Sequence, residues 1–400
     1  MAYLLCSIIM LLCCACGGSE SSEGPVVDNQ PTLQITVFTT GHPVVSRGDV
    51  GDVDGSAKEN YIHKLQVWVF EHNDGTKVAY LEDATPMSQL HSNTDGDILE
   101  GTYQLVVSNS FADAKPNVDV YVLANGNQVG FPQLDGNTSR AVLKEALMND
   151  TYGLTTLVTD VPAGIGLPMS GMLNDAELGG QSPVLNVKTP VTVVRTVSKM
   201  RFIFSRNKRT EEEEAINSQI RITKIELDGS MIPTQEYIFL EDAYKPRAFR
   251  VGNSYVEDAK VLATPDNDTI PECDTPSKYA YIASQSGQQY EALIDEGIKG
   301  IGGDPNKKEL TQLGLFYFRE SNLQMKGTID YEIRESGETE ARPENKKSAR
   351  FVMNAAGDFS RNHTWIVYGY FAGSDNLQVI TLKINPWTDR GEDNHEVYNW

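Results

Sequence analysis

From residue 31 the chain reads PTLQITVFTTG, in which Leu33, Ile35 and Val37 alternate with Gln34 and Thr36. A two-residue period of this kind predicts a strand with one buried face and one wet face. GHPVVSRGDVGDVDGSAKEN follows, dense in Gly and Asp, and reads as an exposed loop carrying Arg47. IHKLQVWVFEHNDG then returns to a strand pattern closed by an Asn-Asp-Gly turn. Further strand patterns are TYQLVVSN, NVDVYVLAN and LPMSGML in the first half. The second half adds VTVVRTVSKMRFIFSRN, SQIRITKIELDG, EYIFLED, KYAYIAS, GLFYFRE, MKGTIDYEIRES, SARFVMNA, TWIVYGYFAG and LQVITLKINPWT.

Strands of five to eight residues separated by turn signals predict an all-β protein built of sandwiches. Two helical patterns interrupt them: SRAVLKEALMND, with Ser139 as N-cap, and TEEEEAINS, which reads as a solvated hairpin tip. LNDAELGGQSPVLNVKTP, residues 173–190, is rich in Gly, Pro and Asn and marks an expected division between two blocks. Trp68 and Trp365 fall within strand patterns and are expected in the core.

Composition narrows the function. The 400 residues carry 34 Lys+Arg against 55 Asp+Glu, a net charge of −21, which argues against binding to nucleic acid or to anionic lipid through a basic face. With 40% hydrophobic and 22% charged residues, the chain can bury a sizeable core. Of the cysteines, Cys6, Cys13, Cys14 and Cys16 precede the body of the chain and only Cys273 lies within it, so the body holds no disulfide framework.

AYLLCSIIMLLCCA has the length of a signal-peptide apolar region. The Cys-Gly-Gly-Ser tether that follows resembles a bacterial lipobox, with Cys16 as the lipidated residue and Cys14 as the alternative register. The six histidines, His42, His63, His72, His91, His363 and His395, show no metal-ligand spacing, and no P-loop, nucleophile elbow or dinucleotide fingerprint is present. GIKGIGGDPNKKE, residues 297–309, reads as a surface loop. Cys273, between Glu272 and Asp274, is expected in a loop with its thiol pKa raised by those acids. Asp52 and Asp54 lack the flanking ligands of a calcium loop. Arg47-Gly48-Asp49 is an integrin-type tripeptide of the kind chance supplies. None of this points to an enzyme, a metal or a cofactor.

The order of these features resembles the fimbrillins, the major-subunit family of type V pili. The resemblance rests on LQITVFTTGHPVVSRGDVGDVDGSAKENYIHKLQVWVF, LPMSG, PVTVVRTVSKMRFIF, RNHTWIVYGYF, ITLKINPWTD and the aromatic Trp400. It implies two tandem transthyretin-like β-sandwich domains with minor helical insertions. The expected organisation is a signal peptide at 1–16, a propeptide at 17–47 with a removable strand, an N-terminal sandwich at 48–185 and a C-terminal sandwich at 186–400.

The resemblance further implies an assembly route. An arginine-specific surface protease cuts the Arg47–Gly48 bond, releasing the strand that carries Leu33, Ile35 and Val37. A C-terminal donor strand from a neighbouring subunit fills the groove left behind. Ile380, Leu382 and Ile384 offer one candidate donor segment, and Val397, Tyr398 and Trp400 another. Implied partners are other fimbrial subunits, the protease, the outer membrane through the lipid before processing, and a host or bacterial surface receptor. Competing readings are a fimbrial tip or accessory adhesin, a membrane-retained anchor, which would not need Arg47, and a surface glycan-binding lipoprotein.

Overall fold

The structure, a computed structural model, describes residues 30–39, 61–86, 91–92, 99–127, 131–148, 165–211, 218–240, 260–263, 270–280, 287–335, 337–353, 359–372, 376–384 and 396–399. In the first half the strands are β1 (Thr32–Thr39), β2 (Leu65–Glu71), β3 (Lys77–Asp83), β4 (His91–Ser92), β5 (Leu99–Val106) and β6 (Val118–Ala124). They continue with β7 (Leu147–Met148), β8 (Met169–Ala176), β9 (Leu178–Gln181), β10 (Val184–Val187) and β11 (Val191–Arg195). Two short helices, α1 (Asn109–Ala114) and α2 (Arg140–Lys144), are capped by the hydroxyls of Ser108 and Ser139. The Ser139 cap is the one expected from sequence.

These strands form two layers, β4-β5-β1-β10-β9 and β3-β2-β6-β8-β11, joined where the end of β1 pairs with β11. Their facing side chains, among them Leu33, Ile35, Val37, Leu65, Val67, Val69, Val120, Val122 and Val193, make one core. Residues 173–190, the stretch rich in Gly, Pro and Asn, contain two paired strands. Leu178–Gln181 and Val184–Val187 pair as a hairpin whose second strand lies against β1. A positive φ at Gly180 lets the chain turn there. The strands change system at Thr196, downstream of 185/186. Gly171 of LPMSG sits so close to the Thr192 carbonyl on β11 that a Cβ would collide with it.

The second half begins with β12 (Val197–Asn207) and β13 (Gln219–Leu227), then β14 (Glu236–Tyr237), β15 (Lys260–Ala263) and β16 (Glu272–Cys273). After α3 (Gly287–Lys299) come β17 (Thr311–Arg319), β18 (Lys326–Arg334), β19 (Lys346–Val352), β20 (Thr364–Phe371), β21 (Leu377–Ile384) and β22 (Glu396–Asn399). β17-β12-β20-β21-β22 forms one layer and β15-β13-β18-β19 the other. Phe202, Ile222, Phe316, Phe351 and Trp365 are among the side chains between them. Trp68 and Trp365 are both fully buried, as expected.

β2 is buried on both faces. Leu65, Val67 and Val69 face the sandwich core, while Trp68 and Phe70 face a third core shared with Leu143, Met148, Ile238, Phe239 and Tyr317. That third core joins the two halves, and β14 pairs with β7 across it. α3 was not foreseen: it lays Tyr290 and Ile294 on the outer face of β12 and β20 beside Ile203, Ile366 and Tyr368. KYAYIAS, expected as a strand, begins instead in a 3-10 turn at Pro276–Tyr279, where proline sets the first helical residue. Only Glu236–Tyr237 of EYIFLED is strand among the described residues. Residues 212–217 of TEEEEAINS lie outside the described residues.

Candidate assembly site

β1 has neighbours along both edges. On one side it runs antiparallel to β5 through seven residue pairs, from Thr32↔Val106 to Phe38↔Glu100. On the other, Thr32–Gln34 run parallel to β10 and Val37–Thr39 parallel to β11. The alternation read from sequence is realised: Leu33, Ile35 and Val37 are all 0% exposed, while Gln34, Thr36 and Phe38 are half-buried on the outer face. Leu33 lies between Leu105 and Leu185, Ile35 opposite Tyr103, and Val37 between Gly101 and Val191. Outside, Thr36 Oγ1 and Thr102 Oγ1 are 3.2 Å apart. The entry to the strand is fixed by the Thr32 N–H, which donates to the Pro183 carbonyl at 2.7 Å, and by the Val107 N–H, which donates to the Pro31 carbonyl at 2.9 Å.

Three aliphatic side chains buried at about 1.5–3 kcal/mol each give β1 a gross hydrophobic contribution of roughly 5–9 kcal/mol. Neighbouring strands lie about 4.8 Å apart. Without β1, therefore, β5 and the β10–β11 edge would stand about two strand spacings apart, each with unpaired N–H and C=O groups beside an open apolar floor. Such edges invite another strand. The floor residues Tyr103, Leu105, Leu185 and Val191 were not singled out from sequence. The alternation Tyr103-Gln104-Leu105 within TYQLVVSN is the signal that could have found the first two.

At the C-terminal end, β21 pairs antiparallel with β20 from Thr364↔Ile384 to Phe371↔Leu377. β22 closes that sheet through four pairs, from Ile380↔Asn399 to Lys383↔Glu396. Ile380 is buried beside Tyr290 and Ile294, and the Thr381 hydroxyl donates to the Val352 carbonyl at 2.8 Å. Leu382 and Ile384 continue β21, and Val397 and Tyr398 lie on β22, the last strand of its sheet among the described residues. The structure gathers Leu33, Ile35 and Val37 in one sheet and the C-terminal strands in another. Cys16, Cys14, Arg47, Gly48 and Trp400 lie outside the described residues.

Charge at the junction between the halves is buried and specific. Arg361 donates to Glu320 Oε1 from Nη2 at 2.7 Å and from Nε at 3.1 Å, and also to the carbonyls of Ile238 at 2.9 Å and Tyr237 at 2.6 Å. Glu236, fully buried, accepts from the Glu320 N–H at 3.0 Å. Loss of solvent pushes its carboxyl up to about 8, with Glu320 adding repulsion and Arg361 and Arg319 opposing. In the first half, Asp119 accepts from His72 at 2.7 Å, Arg140 at 2.8 Å and the Asp175 N–H at 3.0 Å. Burial raises its pKa, yet these donors outweigh burial and hold Asp119 below the usual carboxylate range.

Cys273 is a correction. It lies on β16, paired with β12 and buried, not in a loop. Its thiol is raised, as expected, but chiefly by burial. Glu309 contributes more than Asp274, and Glu272 is bonded instead to Arg209. Residues 297–309 form the end of α3 and two exposed 3-10 turns, with positive φ at Gly300, Gly302 and Gly303. Among the described residues no group of three or more His, Cys, Asp or Glu side chains is arranged to hold a metal ion.

Two layered β-sandwiches, with β1 buried between β5 and the β10–β11 edge, are the arrangement the comparisons bear on. Residues 32–223, just under half of the chain, match the family described as major fimbrial subunit protein (FimA), and over that span the chain is similar to fimbrial subunits. That family is structural, not enzymatic. The chain superposes on a candidate cell adhesion protein from Parabacteroides distasonis with a TM-score of 0.51 and 14% identity, covering 89% of this chain and 98% of that one. That likeness supports the β-sandwich fold. A fimbrilin from Porphyromonas gingivalis gives a TM-score of 0.44 at 14% identity, covering 93% of this chain and 97% of that one. The tip fimbrial protein Mfa3 from Porphyromonas gingivalis gives 0.40 at 12%, covering 93% and 100%. No curated protein matches the chain.

Proposed function

We propose that this protein is a structural subunit of a cell-surface fimbrium, polymerised by exchanging its first strand for one from a neighbouring copy. In this reading the precursor is exported, lipidated at Cys16 and held at the outer membrane. An arginine-specific protease cuts between Arg47 and Gly48, β1 leaves, and the C-terminal strand of a second copy enters the slot. The observation that carries the reading is the placement of β1. It is a short segment N-terminal to Arg47, fully buried on one face and bonded along both edges. Its loss therefore exposes a slot that β5, β10 and β11 cannot close among themselves.

The test is to incubate the full-length protein with an arginine-specific protease. The reading expects one main product beginning at Gly48 that forms SDS-resistant ladders, and Arg47→Ala should prevent both. A product that begins at Gly48 and stays monomeric would overturn it.

A further inference from the structure

Among the described residues of the core around Leu33, Ile35 and Val37, Tyr103 is the one that carries a side-chain hydroxyl. Tyr103 sits on β5 directly opposite Ile35 and is 1% exposed. Its hydroxyl has no hydrogen-bond partner. Leu33, Ile35, Val37, Leu105 and Leu185, which share its core, carry no polar side-chain atom. Burial, with a smaller contribution from the Asp83 carboxylate, pushes the phenol far above its ordinary value. The group is therefore a neutral O–H at any physiological pH.

Buried tyrosine hydroxyls ordinarily find a partner, and leaving one unpaired is costly. With Ile35 as its cross-strand neighbour, β1 offers this hydroxyl nothing. The slot is thus imperfectly matched to the strand that fills it in the precursor, although the aliphatic fit of Leu33 and Val37 is complete.

We infer that Tyr103 is a recognition element for the strand that replaces β1: the incoming segment carries a neutral hydroxyl or carboxamide where β1 carries Ile35, and that group pairs with the Tyr103 hydroxyl. The inference rests on the strand exchange proposed above and adds the chemistry that separates the replacement from the placeholder. The occupant is the C-terminal segment of a second copy, for which β22, on the edge of its sheet, is the available strand. Thr381 on β21 is already bound to the Val352 carbonyl. Within β22 the neutral hydrogen-bonding residues are Tyr398 and Asn399. A charged residue such as Glu396 is unsuited to this position, because its desolvation would go uncompensated.

The test compares full-length wild type and Tyr103→Phe, each uncut and after cleavage by an arginine-specific protease. Uncut Tyr103→Phe should unfold at the same or a higher denaturant concentration than wild type, since no hydrogen bond is lost. Its fibres should dissociate about tenfold faster, within the range for one hydrogen bond. Asn399→Leu or Tyr398→Phe should produce the same acceleration, and one of them should fail to add to Tyr103→Phe.

Fibres of Tyr103→Phe as durable as wild type would overturn the inference while leaving strand exchange intact. A destabilised uncut Tyr103→Phe, or full additivity with both C-terminal variants, would overturn it too. Wild-type subunits that are cut yet remain monomeric would remove strand exchange and this inference together.

Discussion

Ile35→Ala separates the precursor from the fibre more sharply than any other single change. Ile35 is fully buried in the middle of β1, so the substitution deletes three carbons from a packed core. The transfer contribution is about 2.4 kcal/mol at ~0.8 kcal/mol per carbon, and the residual cavity brings the expected loss to about 2–5 kcal/mol. Urea unfolding of the uncut chain, followed by tryptophan fluorescence, should register that loss in full. If β1 leaves on assembly as proposed, the fibre should be unaffected in its dissociation midpoint. Leu105→Ala on β5 is the control: Leu105 lines the slot in both states, so precursor and fibre should each weaken. If Ile35→Ala weakened the fibre as much as the precursor, β1 would still be in the fibre and the reasoning would fail.

The remaining predictions concern the buried charges. Glu236, raised to about 8, binds a proton more tightly folded than unfolded, so it makes stability fall as pH rises from about 4.5 to 8. Glu236→Gln should flatten that part of the pH profile measured by chemical unfolding. Arg361→Met leaves Glu320 without its cation and two carbonyls without donors, and should destabilise the chain by about 3–5 kcal/mol in the same assay. A loss under about 1 kcal/mol would show that the junction does not depend on this pair. Asp119 is held below its ordinary value, so its contribution is lost as pH falls through its folded pKa; Asp119→Asn should remove part of the acid-side loss of stability.

The buried face of β1 was legible because the strand's other face is only half-buried. Alternation then writes burial directly into the sequence, and Leu33, Ile35 and Val37 lie where that pattern puts them. Nothing local says which strands flank β1, because the parallel pairing with β10 and β11 joins residues about 150 positions apart, beyond the reach of any sequence period. β2 reads as a continuous apolar run since it is covered on both sides, so its pattern does not reveal the third core. The helix α3 had a usable signal, Tyr290, Leu293, Ile294 and Gly297 at helical spacing, which the strand-rich context obscured. In residues 173–190 the Gly- and Pro-rich composition conceals a hairpin, which turns at Gly180 with a positive φ.

The central claim is that β1 is absent from the mature subunit. N-terminal sequencing of subunits recovered from assembled fibres tests it most directly. The account predicts a chain beginning at Gly48; subunits that begin at Cys16 and still carry Leu33, Ile35 and Val37 would contradict it.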